Sequence, residues 1–177
     1  MVVRAVGPKR PRDRREGSIH RSATAVSVEG YQQDPLYPRV VRAVDAILAT
    51  GKVVAPVEVL VRMELLAPAR LEDWRFGRVP YLERVIAGNL TRLSRLLRIL
   101  RFHAHDLRLV PSVTAYVRWG KGRRTLLRFT KTGDPALEQA YARHFVWPGK
   151  GPFHYPEATP GAAPASADVP THFCRNQ

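Results

Sequence analysis

A long stripe of apolar residues at helical spacing constrains the fold of this chain more than any other feature. On a helix that turns by about 100° per residue, large aliphatic side chains between residues 80 and 106 fall on one side: Leu82, Val85, Ile86, Leu90, Leu93, Leu96, Leu97 and Leu100. The opposite side carries Arg84, Arg95, Arg98 and Arg101. We therefore predict one long helix over residues 80–106, with a core face and a basic face.

Proline, glycine and a capping aspartate mark the ends of the other predicted helices. Gly51 follows a run of valine, isoleucine and leucine at helical spacing and is typical of a helix stop. Pro56 and Pro68 stand where a first helical residue is expected, and Asp134 with Pro135 forms a cap followed by such a proline. The predicted helices are 38–50, 56–64, 68–76 and a last one from Pro135 that reaches His144 and Phe145.

Extended segments complete the predicted fold. Residues 113–119 and 124–130 flank a short run that contains Gly120 and Gly122, which predicts a β-hairpin, and residues 52–55 predict a short strand. The predicted class is therefore mainly α with a β-hairpin. The order helix, short strand, helix, turn, helix and later hairpin is that of a winged helix-turn-helix, in which the third helix enters the major groove and the hairpin is the wing.

Composition divides the chain into three parts. Residues 1–34 are rich in arginine without an apolar period and predict a disordered basic arm. Residues 35–147 predict a single folded domain of ordinary size. Residues 148–177 are rich in proline and alanine and predict a disordered tail.

The sequence favours a cytoplasmic protein. No stretch approaches the roughly 18 consecutive apolar residues of a spanning helix, so we expect no membrane partner. The N-terminus lacks the apolar segment of a secretory signal, and the single cysteine, Cys174, has no second cysteine for an internal disulfide.

Charge is concentrated in one part of the chain. The sequence holds 29 Lys and Arg against 15 Asp and Glu, a formal net charge of +14, and only five of the basic residues are lysine. Twelve of the basic residues but a single acid, Asp106, lie between residues 84 and 131, whereas the rest of the predicted domain is nearly neutral. This distribution indicates a polyanionic partner, because guanidinium groups match phosphate oxygens. An ordinary solvated surface or an acidic protein partner would explain the same excess.

The function predicted from this charge is that of a small nucleic-acid-binding or regulatory accessory protein, acting on DNA or RNA. Tyr116 and Trp119 are candidates to stack on a base if they are exposed. Arg70 and Arg75 are the candidate groove readers, although the neighbouring acids Glu72 and Asp73 weaken that role. The candidate phosphate contacts are Arg84, Arg95, Arg98, Arg101, Arg118, Lys121, Arg123, Arg124 and Arg128.

Histidine and acidic residues do not form a recognisable metal or catalytic motif, so we expect no metal and no cofactor. His103 and His105 would point about 200° apart on a helix, and neither an HExxH nor a paired Cys-x-x-Cys spacing occurs. The remaining candidate ligands are Asp106, His144, His154, His172 and Cys174. Two alternative functions stay open: an interaction module that binds an acidic protein, and a phosphodiester-cleaving enzyme that uses His103, Asp106 and His144.

Two motifs resemble a small family of uncharacterised bacterial proteins. They are Leu-Glu-Asp-Trp-Arg-Phe-Gly-Arg-Val-Pro-Tyr-Leu-Glu-Arg-Val-Ile at residues 71–86 and Leu-Arg-Phe-Thr-Lys-Thr-Gly-Asp-Pro at residues 127–135. The resemblance covers about residues 38–150 and implies no activity. A homodimer is a further expectation, because helix-turn-helix proteins commonly dimerise and the apolar stripe is wide enough to bury a partner helix.

Overall fold

The computed structural model of the chain describes residue 27 and residues 29–156, which combine α-helices with a small antiparallel sheet. The α-helices are α1 (Tyr37–Leu48), α2 (Pro56–Arg62), α3 (Pro68–Arg75), α4 (Leu90–Asp106) and α5 (Pro135–Ala142). The strands are β1 (Val53–Val54), β2 (Val110–Val113) and β3 (Arg143–Val146), and two 3-10 helices span Tyr31–Gln33 and Leu82–Val85. Within the described residues the fold is thus a mixture of five α-helices and three strands rather than helices with a hairpin.

Proline begins three of the helices, as the sequence predicts. Pro56, Pro68 and Pro135 are the first residues of α2, α3 and α5. At this position an amide has no acceptor within the helix, so a proline, which lacks the amide proton, costs no hydrogen bond. The predicted cap of α5 is also present, since the side chain of Asp134 accepts a hydrogen bond from the amide of Leu137 at 2.9 Å.

The predicted start of the long basic helix is wrong, because α4 begins at Leu90 and not at Pro80. The backbone upstream of α4 is hydrogen-bonded to other segments. The amide of Leu82 donates to the carbonyl of Arg128 at 3.1 Å, and the amide of Ala87 donates to a carbonyl in the α2–α3 connection at 2.7 Å. Since these amides donate to other segments, residues 80–89 do not form an α-helix, although Leu82 and Ile86 are buried.

The sheet joins parts of the chain that are far apart in sequence. β3 lies in the centre, with β1 on one side and β2 on the other, and both pairings are antiparallel. Val146 of β3 pairs with both Val53 and Val110. The prediction that the last helix reaches His144 and Phe145 is therefore wrong, because both residues belong to the central strand.

The predicted hairpin is present only as a loop with one β-bridge. Val117 pairs with Leu126 across the glycine-containing tip, as the hairpin requires. On either side of this bridge one backbone hydrogen bond also joins the two arms: Arg118 donates to the carbonyl of Thr125 at 2.9 Å, and Leu127 donates to the carbonyl of Tyr116 at 2.8 Å. The amides further along bond elsewhere, since Trp119 donates to the carbonyl of Arg75 at 2.7 Å and Thr130 donates to the carboxylate of Glu138 at 2.7 Å. We call this segment the loop 114–130. It does not form the two strands predicted at 113–119 and 124–130.

An aromatic cluster fastens this loop to α3. Trp74 is fully buried, and its indole Nε1 donates to the carbonyl of Arg128 at 2.8 Å. The rings of Tyr116 and Phe129 lie 5.5 and 5.2 Å from that of Trp74. The loop is therefore held at both ends against the hydrophobic core.

The apolar stripe that predicted the long helix is almost entirely covered within one chain. Leu82, Leu93, Leu96 and Leu100 are buried, whereas Leu90, the first residue of α4, keeps 58% of its surface exposed. The width of the stripe, which was one ground for expecting a homodimer, is thus explained by contacts inside the chain.

The predicted basic arm and tail lie mostly outside the described residues. Of the arm, the described part includes Tyr31, which is buried against α1 and α4. Of the tail, Phe153 packs edge-on against Trp147, with ring centroids 5.2 Å apart. No helix among the described residues has both the length and the apolar character needed to cross a membrane.

Candidate nucleic-acid interface

All of the predicted basic residues except Arg95 and Arg128 lie on three separate surfaces, each with its own cavity. We call them the helix surface (Arg98, Arg101 and Arg143), the corner surface (Arg70, Arg78 and Arg84) and the loop surface (Arg75, Arg118, Trp119, Lys121, Arg123 and Arg124). The three cavities have no lining residue in common. The basic residues of the sequence therefore do not lie on one continuous surface.

The helix surface lies in the groove between α4 and α5. A cavity of about 320 Å³ is lined there by Arg98, Arg101 and Arg143 above apolar side chains that include Leu97. Arg98 and Arg101 are exposed and make no ion pair among the described residues. Sequence reasoning missed Arg143, because only the fold places the start of β3 beside α4.

Arg95, predicted to contact phosphate, is instead part of an internal ion pair. Its guanidinium lies 2.6 Å from the carboxylate of Asp34, which is itself nearly buried. Burial alone would raise the pKa of Asp34, but hydrogen bonds from the amide of Leu36 and from Arg95 lower it below its ordinary value. Arg95 therefore fixes the segment before α1 onto α4.

The corner surface is partly neutralised. Arg70 and Arg78 both form ion pairs with Asp73, at 3.5 and 3.0 Å, so the predicted groove reader Arg70 already has a partner. Arg84 is exposed and lines the same cavity of about 430 Å³. It belongs to the 3-10 helix before α4, and its predicted place on the basic face of the long helix is wrong.

Two arginines of the loop 114–130 shape the loop itself. Arg118 donates to the carbonyl of Lys121 at 3.2 Å, and Arg128 donates to the carbonyl of Lys131 at 2.8 Å. The stem of Arg118 lies across Gly77, where an added Cβ would be only 2.8 Å from the Arg118 Cδ. Gly77 also has a φ of +72°, so both its conformation and this close contact require glycine.

The tip of the loop presents cations without partners. Lys121, Arg123 and Arg124 are exposed and make no ion pair within the described part of the chain. Arg124 joins Arg75 and Arg118 in lining a cavity of about 460 Å³, which is lined by no carboxylate from residue 27 or residues 29–156.

Arg75 lies among three aromatic rings at the base of the loop surface. Its Cζ is 4.3 Å from the ring centroid of Tyr116, 5.1 Å from that of Trp119 and 5.5 Å from that of Trp74. Burial lowers the pKa of the Arg75 guanidinium, although the side chain remains a cation near neutral pH. The side chain of Arg75, which was predicted to read a groove, therefore packs against the protein's own aromatic rings.

The two aromatic residues proposed for base stacking differ in exposure. Tyr116 is only 4% exposed and belongs to the core, so it has no free face for a base. Trp119 is 51% exposed, and the edge contact with Phe76 at 5.9 Å holds its ring in place. Of the two, only Trp119 has a ring face that remains a candidate for stacking.

A further cavity of about 630 Å³ contains a hydrogen-bonded tyrosine–histidine pair. The hydroxyl of Tyr116 is 2.6 Å from Nε2 of His144, and Nδ1 of His144 is 3.3 Å from the hydroxyl of Thr114. Burial, together with the charge of Arg75, lowers the pKa of His144. Glu58 lines the same cavity.

The three residues of the enzyme alternative are not brought into one site. His103 is 4% exposed and packs edge-on against Tyr37, while Asp106 accepts a hydrogen bond from the hydroxyl of Tyr31. Neither residue lines the cavity that contains His144. Among the described residues, no group of three or more His, Cys, Asp or Glu is placed to hold a metal ion, and His172 and Cys174 lie outside those residues.

Comparison of the chain with protein-family models, curated proteins and solved structures finds no match. The resemblance of residues 71–86 and 127–135 to a bacterial family therefore stays a prediction.

Proposed function

We propose that this chain is a nucleic-acid-binding protein of an accessory or regulatory kind, which contacts phosphates through the loop surface and the helix surface. One observation carries the proposal: Arg75, Arg118 and Arg124 line a cavity together with the half-exposed Trp119, and no carboxylate of the described residues lines it. Guanidinium groups pair with phosphate oxygens through parallel hydrogen bonds, and an aromatic ring adds a surface for the bases. The proposal keeps the cytoplasmic location expected from the sequence.

The free cations favour contact with the phosphate backbone. Lys121, Arg123 and Arg124 extend from a loop tip, and Arg98 and Arg101 line a groove. None of these five pairs with an acid in the described part of the chain, so a polyanion displaces no such partner. Such contacts position a nucleic acid but carry no sequence information by themselves. We therefore expect weak sequence preference and strong dependence on salt.

The helix-turn-helix arrangement enters the proposal in a modified form. α2 and α3 follow one another with a short connection, as the motif requires, and the loop 114–130 takes the place of the wing. In this proposal α3 does not read a groove, because Arg70 pairs with Asp73 and Arg75 lies among aromatic rings. The role of α3 is to support the loop surface.

Charge reversal at the loop tip tests the proposal. Arg95 is unsuitable because it pairs with Asp34, so the variant is Arg123→Glu with Arg124→Glu. For each side chain that no longer neutralises a phosphate, the slope of log affinity against log salt concentration becomes smaller by about one. Affinity falls by a similar factor for every sequence. Fluorescence anisotropy with several labelled oligonucleotides of unrelated sequence measures both.

The control reverses the same number of charges away from the three surfaces. Arg42 lies on α1 and Lys150 lies after β3; both side chains are exposed, and neither makes an ion pair among the described residues. If Arg42→Glu with Lys150→Glu weakens binding as much as the loop variant does, only total charge matters and the proposed interface is wrong. Pull-down after nuclease treatment addresses an acidic protein partner, because binding to such a partner survives the treatment.

A further inference from the structure

Trp119 is held in a fixed position although half of its surface is exposed. Its amide donates to the carbonyl of Arg75 at 2.7 Å, which fixes the backbone against α3. Its ring meets the edge of Phe76, and the guanidinium of Arg75 lies 5.1 Å from its centroid. An indole that is ordered before binding loses little conformational entropy when a second flat group stacks on it.

Arg75 places a positive charge next to the ring of Trp119. The guanidinium is half-buried among rings, and it makes no ion pair with a carboxylate among the described residues. Cation–π contacts satisfy part of its charge. Arg75 lines two cavities: Glu58 lines one of them, whereas the cavity beside Trp119 has no acid among its described lining residues. An anionic ligand in that cavity would complete the charge balance.

The other two basic surfaces do not offer the same combination. The cavity of the corner surface is lined by arginine, valine and proline, without an aromatic ring. The cavity of the helix surface includes Phe145, but that side chain is buried. Of the three surfaces, the loop surface is the one that joins an exposed ring to unpaired cations.

We propose, building on the function proposed above, that Trp119 is the stacking platform for an unpaired nucleobase, with Arg118 and Arg124 at the phosphates on either side. In a duplex the faces of each base are covered by its neighbours, so a protein ring can stack only on bases that are single-stranded, bulged or at an end. The protein therefore binds single strands more tightly than duplexes of the same sequence.

The test compares Trp119→Ala with the wild-type chain on three labelled probes: a single-stranded DNA, the RNA of the same sequence and the matching DNA duplex. Removing the ring under a stacked base lowers affinity about tenfold or more, so the single strand that the site accepts should bind at least about tenfold more weakly to the variant. Duplex affinity should change by less than about twofold, because the phosphate contacts remain. Comparing the DNA and RNA strands shows which sugar the site accepts.

Two further variants keep the test decisive if Trp119→Ala disturbs the fold. Trp119→Phe retains an aromatic face and should keep most of the single-strand affinity, whereas the quenching of indole fluorescence that accompanies binding to the wild-type chain should largely disappear. Tyr155→Ala removes an exposed aromatic side chain that lines none of the three basic cavities, and should leave binding unchanged.

The outcomes separate this inference from the function on which it rests. If the Trp119 variants bind single strands as tightly as wild type, while Arg123→Glu with Arg124→Glu weakens binding to every probe, the stacking site is wrong and the phosphate-binding function stands. If the wild-type chain binds none of the probes at low salt, both proposals fail.

Discussion

At the scale of single residues, the arginines of the basic region divide according to the partner that each side chain meets. Arg95 pairs with Asp34, Arg118 bonds to the carbonyl of Lys121, and Arg123 is exposed without an ion pair among the described residues. Asp34 is 61 positions away from Arg95 in the chain. A sequence pattern that covers a single helix therefore cannot show which of its arginines are free.

His103 should make the free energy of unfolding depend on pH. It is buried, its Nε2 lacks a hydrogen-bond partner among the described residues, and burial lowers its pKa against the attraction of Asp45 and Asp106. In the unfolded chain the pKa of histidine is about 6.5, so below that pH the unfolded state binds a proton that the folded state refuses. The free energy of unfolding should therefore fall as the pH is lowered from about 6.5 towards the folded-state pKa of His103.

Urea denaturation between pH 7 and pH 5 checks this prediction. His103→Phe keeps a ring against Tyr37 but has no titrating group at this position. As the pH is lowered, its free energy of unfolding should therefore fall less steeply than that of wild type, and the two slopes should differ by up to about 1.4 kcal/mol per pH unit. His144, whose pKa is also lowered, accounts for part of the slope that remains. His105→Phe replaces an exposed histidine and serves as the control. Parallel pH profiles for wild type and His103→Phe would show that His103 is not the group responsible.

At the scale of elements, α4 shows the difference between predicting that a helix exists and predicting where it starts. Apolar periodicity identified the helix, but the same periodicity continues upstream through Leu82 and Ile86, which are buried without being part of an α-helix. The true signal for the start was Asn89, whose side chain accepts a hydrogen bond from the amide of Arg92 at 2.7 Å. Asparagine is among the preferred capping residues, so the sequence did contain this boundary.

The Asn89 cap leads to a prediction about stability. Asn89→Ala removes the acceptor for the Arg92 amide and should lower the free energy of unfolding by about 1 kcal/mol. Asn89→Ser keeps a capping oxygen and should remain close to wild type. Urea denaturation of the three proteins measures the difference, and equal midpoints for alanine and serine would mean that the cap contributes nothing.

The strands were harder to predict than the helices. Proline at the first position marks α2, α3 and α5 locally, and each begins at the predicted residue. β3 has no such local mark, because it follows α5 directly and is defined by pairing with β1 and β2 from distant parts of the chain. The hairpin was only partly predictable, since the amide of Trp119 bonds to Arg75 instead of a neighbouring strand.

At the scale of the whole molecule, the hydrophobic core decides where the cations point. Trp74 anchors the loop 114–130 to α3, and this packing holds Arg75 and Trp119 next to Arg118 and Arg124. Counting charges along the sequence identified the basic region. It treated as one surface the residues that the fold places on the helix, corner and loop surfaces. The candidate site therefore depends on the aromatic packing as much as on the number of arginines.

The salt dependence of nucleic-acid binding by the wild-type chain tests the central claim most directly. A single-stranded oligonucleotide and the matching duplex are titrated by fluorescence anisotropy at rising salt concentration. If about six phosphates are neutralised, affinity falls roughly 10³-fold between about 50 and 200 mM salt, because bound counterions are released on association. Binding that is absent at the lowest salt, or that does not change with salt, would contradict the assignment of the basic surfaces to nucleic acid.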